Sequence, residues 1–203
     1  WLYDDQGRRL LDAVSSWWVN IHGHAHPYIA QKVFEQLNQL EHVIFAGFTH
    51  QPAIDLAERL IGILPDRQAK VFYSDNGSTA VEIGIKMALQ FFHNQGINRT
   101  KIIALEGAFH GETFGAMSAS GKLSFNNAFE SHLFEVDRIP VPFAGQEEQS
   151  YAALDALLNT GEIAAFIFEP LIQGAGGMRM YAPQALDQLI RRCQQKGVLC
   201  IAD

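Results

Sequence analysis

Apolar residues recur along this chain at two spacings. The first stretch reads as two short strands, 1–3 and 9–14, around the turn Asp4-Asp5-Gln6-Gly7. Residues 15–26 read as a loop rich in aromatics, His and Gly. A helix is predicted from Pro27, with Ile29, Val33, Phe34, Leu37 and Leu40 at helical spacing. A second helix, 52–64, is expected to turn Ile54, Leu56, Ala57, Leu60 and Ile61 inward. Beyond Pro65 the pattern changes, and short apolar runs alternate with helical ones. Strands are predicted over 70–73, 101–105, 133–136, 164–168 and 198–202, with helices over 79–92, 150–158 and 183–195. Strands separated by helices imply parallel βα units covered on both faces, so the expected fold is α/β, a three-layer αβα sandwich with a mostly parallel sheet.

Composition narrows the function classes. The 203 residues are 48% hydrophobic and 18% charged, enough to bury a sizeable core. The formal net charge of -7, without a basic tract, argues against nucleic acid and anionic membrane as partners. No apolar run reaches the length of a membrane span. Cys193 and Cys200 are the only cysteines, which excludes a disulfide scaffold and suits a reducing, cytoplasmic compartment. The chain starts at Trp1 and stops at Asp203 after an apolar run, so both ends are expected to lie inside a longer polypeptide.

In open parallel sheets, ligands bind beyond the carboxyl ends of the strands. There the sequence places Ser74-Asp75-Asn76-Gly77-Ser78-Thr79, Glu106-Gly107-Ala108-Phe109-His110-Gly111, Glu169-Pro170 and Asp203. Thr79-Ala80-Val81-Glu82 matches a capping box, and Gly77 and Ser78 at a helix start offer free N–H groups to a phosphate. A plain helix cap explains the same string. Asp203 is a strand-end carboxylate, suited to a helix cap or to a protonated heterocycle. Glu169 is a strand-end acid able to pair an Arg or line a site. His110 packs beside a ring or satisfies a loop carbonyl. Trp17 and Trp18 suit core packing or the wall of a ligand pocket. His22, His24 and His26 alternate, but Gly23, Ala25 and Pro27 make this a loop, and no metal is expected. The stretch 115–122 fails as a P-loop: its glycines are misspaced, and Leu123 stands where Ser or Thr belongs. Gly174-Ala175-Gly176-Gly177 lacks the third glycine of a dinucleotide fingerprint.

Taken in order, four strings resemble the class III pyridoxal-phosphate aminotransferases of fold type I. They are the 74–82 string, Phe109-His110-Gly111-Glu112-Thr113-Phe114-Gly115, Glu169-Pro170 with Gln173-Gly174-Ala175-Gly176-Gly177-Met178, and Ile201-Ala202-Asp203. The resemblance implies pyridoxal 5'-phosphate as cofactor, with its phosphate on Gly77 and Ser78. It further implies Phe109 against the pyridine ring with His110 beside it, Glu169 close to the ring, and Asp203 as the catalytic carboxylate on the ring nitrogen. It implies a homodimer with the active site at the interface, small-molecule substrates, residues 1–50 as a substrate-side segment and 51–203 as part of the cofactor-binding domain.

Ser15-Ser16-Trp17-Trp18-Val19-Asn20, His22-Gly23-His24 and Phe45-Ala46-Gly47-Phe48-Thr49-His50 narrow the resemblance to the branch acting in biotin synthesis. That branch implies substrate contacts from Trp17, with Trp18 nearby, and from the aromatic at 109. It also implies transfer of an amino group to 8-amino-7-oxononanoate from S-adenosylmethionine. Phe109 stands where the branch usually has Tyr, so lysine is the alternative donor. None of Lys32, Lys70, Lys86, Lys101, Lys122 and Lys196 sits in the family's setting for the Schiff-base lysine, which is expected downstream of Asp203. Three other readings stand beside this one: an ω-amino-acid or ornithine-type member of the class, a non-catalytic binding module if the native chain ends at Asp203, and a nucleotide-binding α/β domain.

Overall fold

The computed structural model describes residues 1–65, 68–121 and 124–203. Lys122 and Leu123, at the end of the P-loop-like stretch, lie outside the described residues. Contacts divide the chain into Trp1–Val71 and Phe72–Asp203.

In the first unit, β1 (Leu2–Tyr3) pairs antiparallel with β2 (Arg9–Leu10) across the expected turn. Where a loop was expected at 15–26, the chain first makes a one-turn helix, α1 (Ser15–Trp18), and then turns. Helices α2 (Pro27–Leu37) and α3 (Gln51–Ile63) follow, each with Pro in its first turn, where the missing N–H costs nothing. The expected inward set of α3 is not buried. Leu56 and Ile61 are exposed, Ile54, Ala57 and Leu60 half-buried, and among the described residues of α3 only Ala53 is buried. On α2, Ile29, Val33, Phe34 and Leu37 are exposed too. The helical period is correct, but nothing in the described chain covers these stripes.

The second unit carries the sheet. Its elements are α4 (Gly77–His93), β3 (Lys101–Leu105), α5 (Phe114–Ala119), a 3-10 segment (Ser124–His132), β4 (Asp137–Ile139), α6 (Glu147–Leu158), β5 (Ile163–Phe168), a small β6–β7 hairpin (Ile172–Gln173, Arg179–Met180), α7 (Pro183–Gln195) and β8 (Leu199–Ala202). Strand order is β4-β3-β5-β8, and every pair is parallel. Alternate residues of β3 and β5 serve opposite layers. Ile103, Leu105, Phe166 and Phe168 meet Leu154 and Leu158 of α6 and Leu186, Leu189 and Cys193 of α7. Ile102, Ala104, Ala165 and Ile167 meet Val81, Ile85, Ala88 and Phe92 of α4 and Ala116 and Ala119 of α5. The unit is therefore a three-layer αβα sandwich, and β5, buried along its whole length, is its centre.

Two strand expectations need correction. Residues 70–73 are not a strand: no described strand lies beside them, and a strand exists only through its pairing. The strand expected at 133–136 lies at Asp137–Ile139, where the register with Ile103–Leu105 places it.

Candidate active site

All four strands run in one direction, so their carboxyl ends share an edge. The start of α4 meets that edge. Its N-cap is Asn76, not Thr79 as the capping-box pattern predicts. The Asn76 Oδ1 accepts from Thr79 N (3.0 Å), and Thr79 Oγ1 accepts from Asn76 N (3.3 Å). The cap serves the third N–H of the helix. It leaves the N–H groups of Gly77 and Ser78 without intrahelical partners, at the positive end of a 17-residue helix.

The loop after β3 carries Phe109, His110 and Gly111. Phe109 N donates to Glu169 Oε1 (2.9 Å), and His110 N donates to Ser120 Oγ (2.8 Å). The His110 imidazole is fully buried, with Nδ1 2.7 Å from Asp203 Oδ2. A carboxylate only accepts, so Nδ1 carries the proton. Oδ1 of Asp203 takes no hydrogen bond from the described residues, and the carboxylate stays about a quarter exposed. Gly111 follows with φ of +131°, and a Cβ there would lie 2.8 Å from the Ser78 Cα, so only glycine fits. Glu112 N then donates to Ser78 Oγ (3.0 Å). Three consecutive residues thus span the edge: His110 holds Asp203, while Gly111 and Glu112 rest on Ser78.

Glu169 follows β5 directly and ties two loops together. Besides Phe109 N, its carboxylate accepts from Gly174 N at 2.8 Å, at the head of the glycine-rich turn. Its carbonyl accepts from the Tyr181 hydroxyl. Burial pushes the Tyr181 phenol up to about 12. Gln173, fully buried, donates from Nε2 to the Glu106 carbonyl (3.0 Å), so the turn is pinned to the loop after β3 from both sides.

In the first unit, α1 is left-handed. Ser15, Ser16, Trp17 and Trp18 have φ of 51°, 47°, 61° and 74°. Each L-residue in this region costs roughly 1–2 kcal/mol, so the turn persists only where surrounding bonds over-determine it. Asp12 supplies three of them. It accepts from Ser16 N (3.0 Å), Ser16 Oγ (2.7 Å) and His24 Nε2 (2.8 Å). The two bonds from Ser16, then the one from His24, hold its carboxyl down at about 2. Trp17 and Trp18 are left exposed at 82% and 59%, not packed in a core. His22 and His26 meet only ring to ring, and among the described residues no group of His, Cys, Asp or Glu is arranged to hold a metal ion. No helix among them is long and apolar enough to cross a membrane.

The family model for aminotransferase class-III matches residues 1–203. The chain belongs to the class III aminotransferases. An adenosylmethionine-8-amino-7-oxononanoate aminotransferase of Synechococcus elongatus is 52% identical over 97% of this chain and 48% of its own length. The enzyme of that name from Geobacter sulfurreducens is 37% identical over the whole chain and 48% of its own length. Among solved structures, the Methanocaldococcus jannaschii enzyme of the same name superposes with a TM-score of 0.91 at 34% identity, over 99% of this chain and 46% of that one. An amine transaminase from an uncultivated Pseudomonas species, solved in its PLP-bound form, gives 0.90 at 31%, over 98% and 49%. The chain spans about half the length of the class III relatives it matches.

Three residues had not been singled out from the sequence: Asp12 in the first unit, and in the second Ser120 and the role of Glu82. The Glu82 carboxylate accepts from Thr113 Oγ1 (2.6 Å) and Ala116 N (2.9 Å), fastening α5 to α4. The available signals were an acid four residues before Ser16 and an acid in the second turn of a helix whose neighbour has Gly115 in its first turn.

Proposed function

We propose that this chain forms part of a pyridoxal-phosphate-dependent aminotransferase that converts 8-amino-7-oxononanoate to 7,8-diaminononanoate in biotin synthesis. The working protein is a cytoplasmic homodimer with S-adenosylmethionine as amino donor. The 52% identity to a relative of that name supports the substrate assignment. Phe109, lacking a phenol hydroxyl, favours lysine as the second reading of the donor.

The residues fit the cofactor. Two free N–H groups at a helix start suit a phosphate dianion, and a half-open carboxylate with one oxygen uncommitted suits a protonated ring nitrogen. The observation that carries the reading is the bridge His110–Gly111–Glu112, which joins both groups to one loop. When bound, pyridoxal phosphate supplies an electron sink for moving an amino group between donor and acceptor. Gly77 and Ser78 would hold the phosphate. Asp203 would hold a proton at the ring nitrogen, with His110 fixing the carboxylate's orientation. Phe109, whose backbone N–H is held by Glu169, would face the ring. Trp17 would contact substrate, with Trp18 nearby.

Asp203→Asn in the full-length protein tests this. A neutral amide cannot hold charge developing at the ring, so turnover should fall at least 100-fold, by about 3 kcal/mol or more of barrier. Near-normal turnover would sink the assignment. Loss of the cofactor's visible absorbance with S-adenosylmethionine alone, or with lysine alone, identifies the donor.

A further inference from the structure

Four consecutive left-handed residues, the last two of them exposed tryptophans, are not what a chain adopts by default. In a right-handed turn, the side chains at 17 and 18 leave the backbone in other directions. The handedness therefore decides what the two indoles present. The group that selects it is Asp12, whose side chain is only 8% exposed. Its Oδ1 takes the Ser16 N–H, and its Oδ2 takes the Ser16 hydroxyl and the His24 imidazole. Further along, Trp18 N donates to Val14 O, and Asn20 N to Ser15 O, both at 2.9 Å. Those backbone bonds close the turn. Only the carboxylate reaches across it, from the segment before to the histidine after.

We infer that Asp12 is a positioning residue for substrate recognition: its carboxylate locks the left-handed turn that presents Trp17 and Trp18. The inference rests on the reading of Trp17 as a substrate contact. Asp12 touches neither substrate nor cofactor in this account; it acts through the indoles. Losing it leaves the Ser16 N–H without its acceptor and the Ser16 hydroxyl with only the longer contact to His24 Nε2 (3.5 Å), and the turn relaxes toward right-handed conformers. The acceptor substrate then binds a population in which the competent arrangement is a minority, and its apparent affinity falls by that fraction.

The test uses the full-length protein labelled with 5-fluorotryptophan, with resonances assigned through Trp17→Phe and Trp18→Phe. Asp12→Ala should shift or broaden those two signals and leave the others in place. It should raise KM for the keto acceptor about tenfold while kcat changes little, the signature of lost binding shared by ground and transition states. In a Trp17→Ala background it should add nothing further, because both changes remove the same contact. Ser16→Ala, which removes one of the three bonds, should give the same pattern in weaker form, and it stands in should Asp12→Ala fold poorly. Unmoved fluorine signals, or KM effects that multiply in the double variant, overturn the inference. If Trp17→Ala raises KM and Asp12→Ala does not, the inference falls and the reading of Trp17 stands. If Trp17→Ala leaves KM unchanged, that reading fails, and this one with it.

Discussion

Replacing Glu169 by Gln probes how the loop after β3 is held. The carboxylate accepts from Phe109 N at 2.9 Å and from Gly174 N at 2.8 Å, one bond to each oxygen. Glutamine keeps one acceptor oxygen and turns the other into an NH2, so one bond is lost and two N–H groups face each other. A hydrogen bond to a charged group contributes about 1.5–3 kcal/mol when well buried. Glu169 is half-buried, and screening by solvent brings the loss to about 1–2 kcal/mol. That is a factor of roughly 5–30 in the local opening equilibrium. Amide hydrogen exchange, read by mass spectrometry on the full-length protein, should therefore speed up by about that factor at Phe109 or Gly174. Leu189, whose side chain is fully buried on α7, should keep its rate. Unchanged rates at both loops would refute the reasoning. So would an equal acceleration at Leu189, since the carboxylate would then be supporting the whole unit and not two loops.

Two further outcomes follow from the same edge. Gly111→Ala places a Cβ 2.8 Å from the Ser78 Cα at a φ of +131°; it should cost about 1–3 kcal/mol in urea denaturation and weaken binding in a pyridoxal-phosphate titration. Burial raises the Tyr181 phenol to about 12, so its contribution is present below pH 10 and is lost as pH rises from 10 toward 12. Tyr181→Phe should remove that part of the alkaline destabilisation, seen as a flatter melting-temperature profile across the window.

What was legible in the sequence was whatever a segment decides for itself. Pro183 to Gln195 forms as one helix because its start is fixed by Pro and its apolar residues keep one face. Residues 163–168 form a strand because six apolar residues leave no solvated side. Residues 70–73 look as apolar as a strand, but pairing is a property of neighbours and not of the segment. The same limit explains the helix cap. Thr79 and Glu82 match the pattern, but Asn76 holds the cap and Glu82 is drawn to Thr113 and Ala116, 31 and 34 residues away. In the candidate site, the strand-end rule placed Phe109, His110, Glu169 and Asp203 at one edge; it reached Gly77 and Ser78 through a strand at 70–73 that is not there, and it is the start of α4 that meets the edge. The left-handed turn at Ser15–Trp18 had no signal in residue type, since serine and tryptophan are poor choices for positive φ.

A parallel sheet explains why so few residues make the edge. Strands β3, β5 and β8 each deliver a polar group where their pairing stops, Glu106, Glu169 and Asp203, and those groups are held apart by the strand spacing, about 4.8 Å per neighbour. They act together only if something rigid crosses between strand ends. Here the crossing is the 109–112 loop, pinned at every residue: Phe109 to Glu169, His110 to Ser120 and Asp203, Gly111 against Ser78, and Glu112 to the Ser78 hydroxyl. The anchors come from β5, α5, β8 and α4, so elements far apart in sequence fix one stretch of four residues. A loop so constrained cannot move its Asp203 end without loading its Ser78 end. The spacing between the start of α4 and the strand-end carboxylate is then a property of the folded sheet, set before any ligand arrives. This is the preorganisation that an electrostatic role for Asp203 requires.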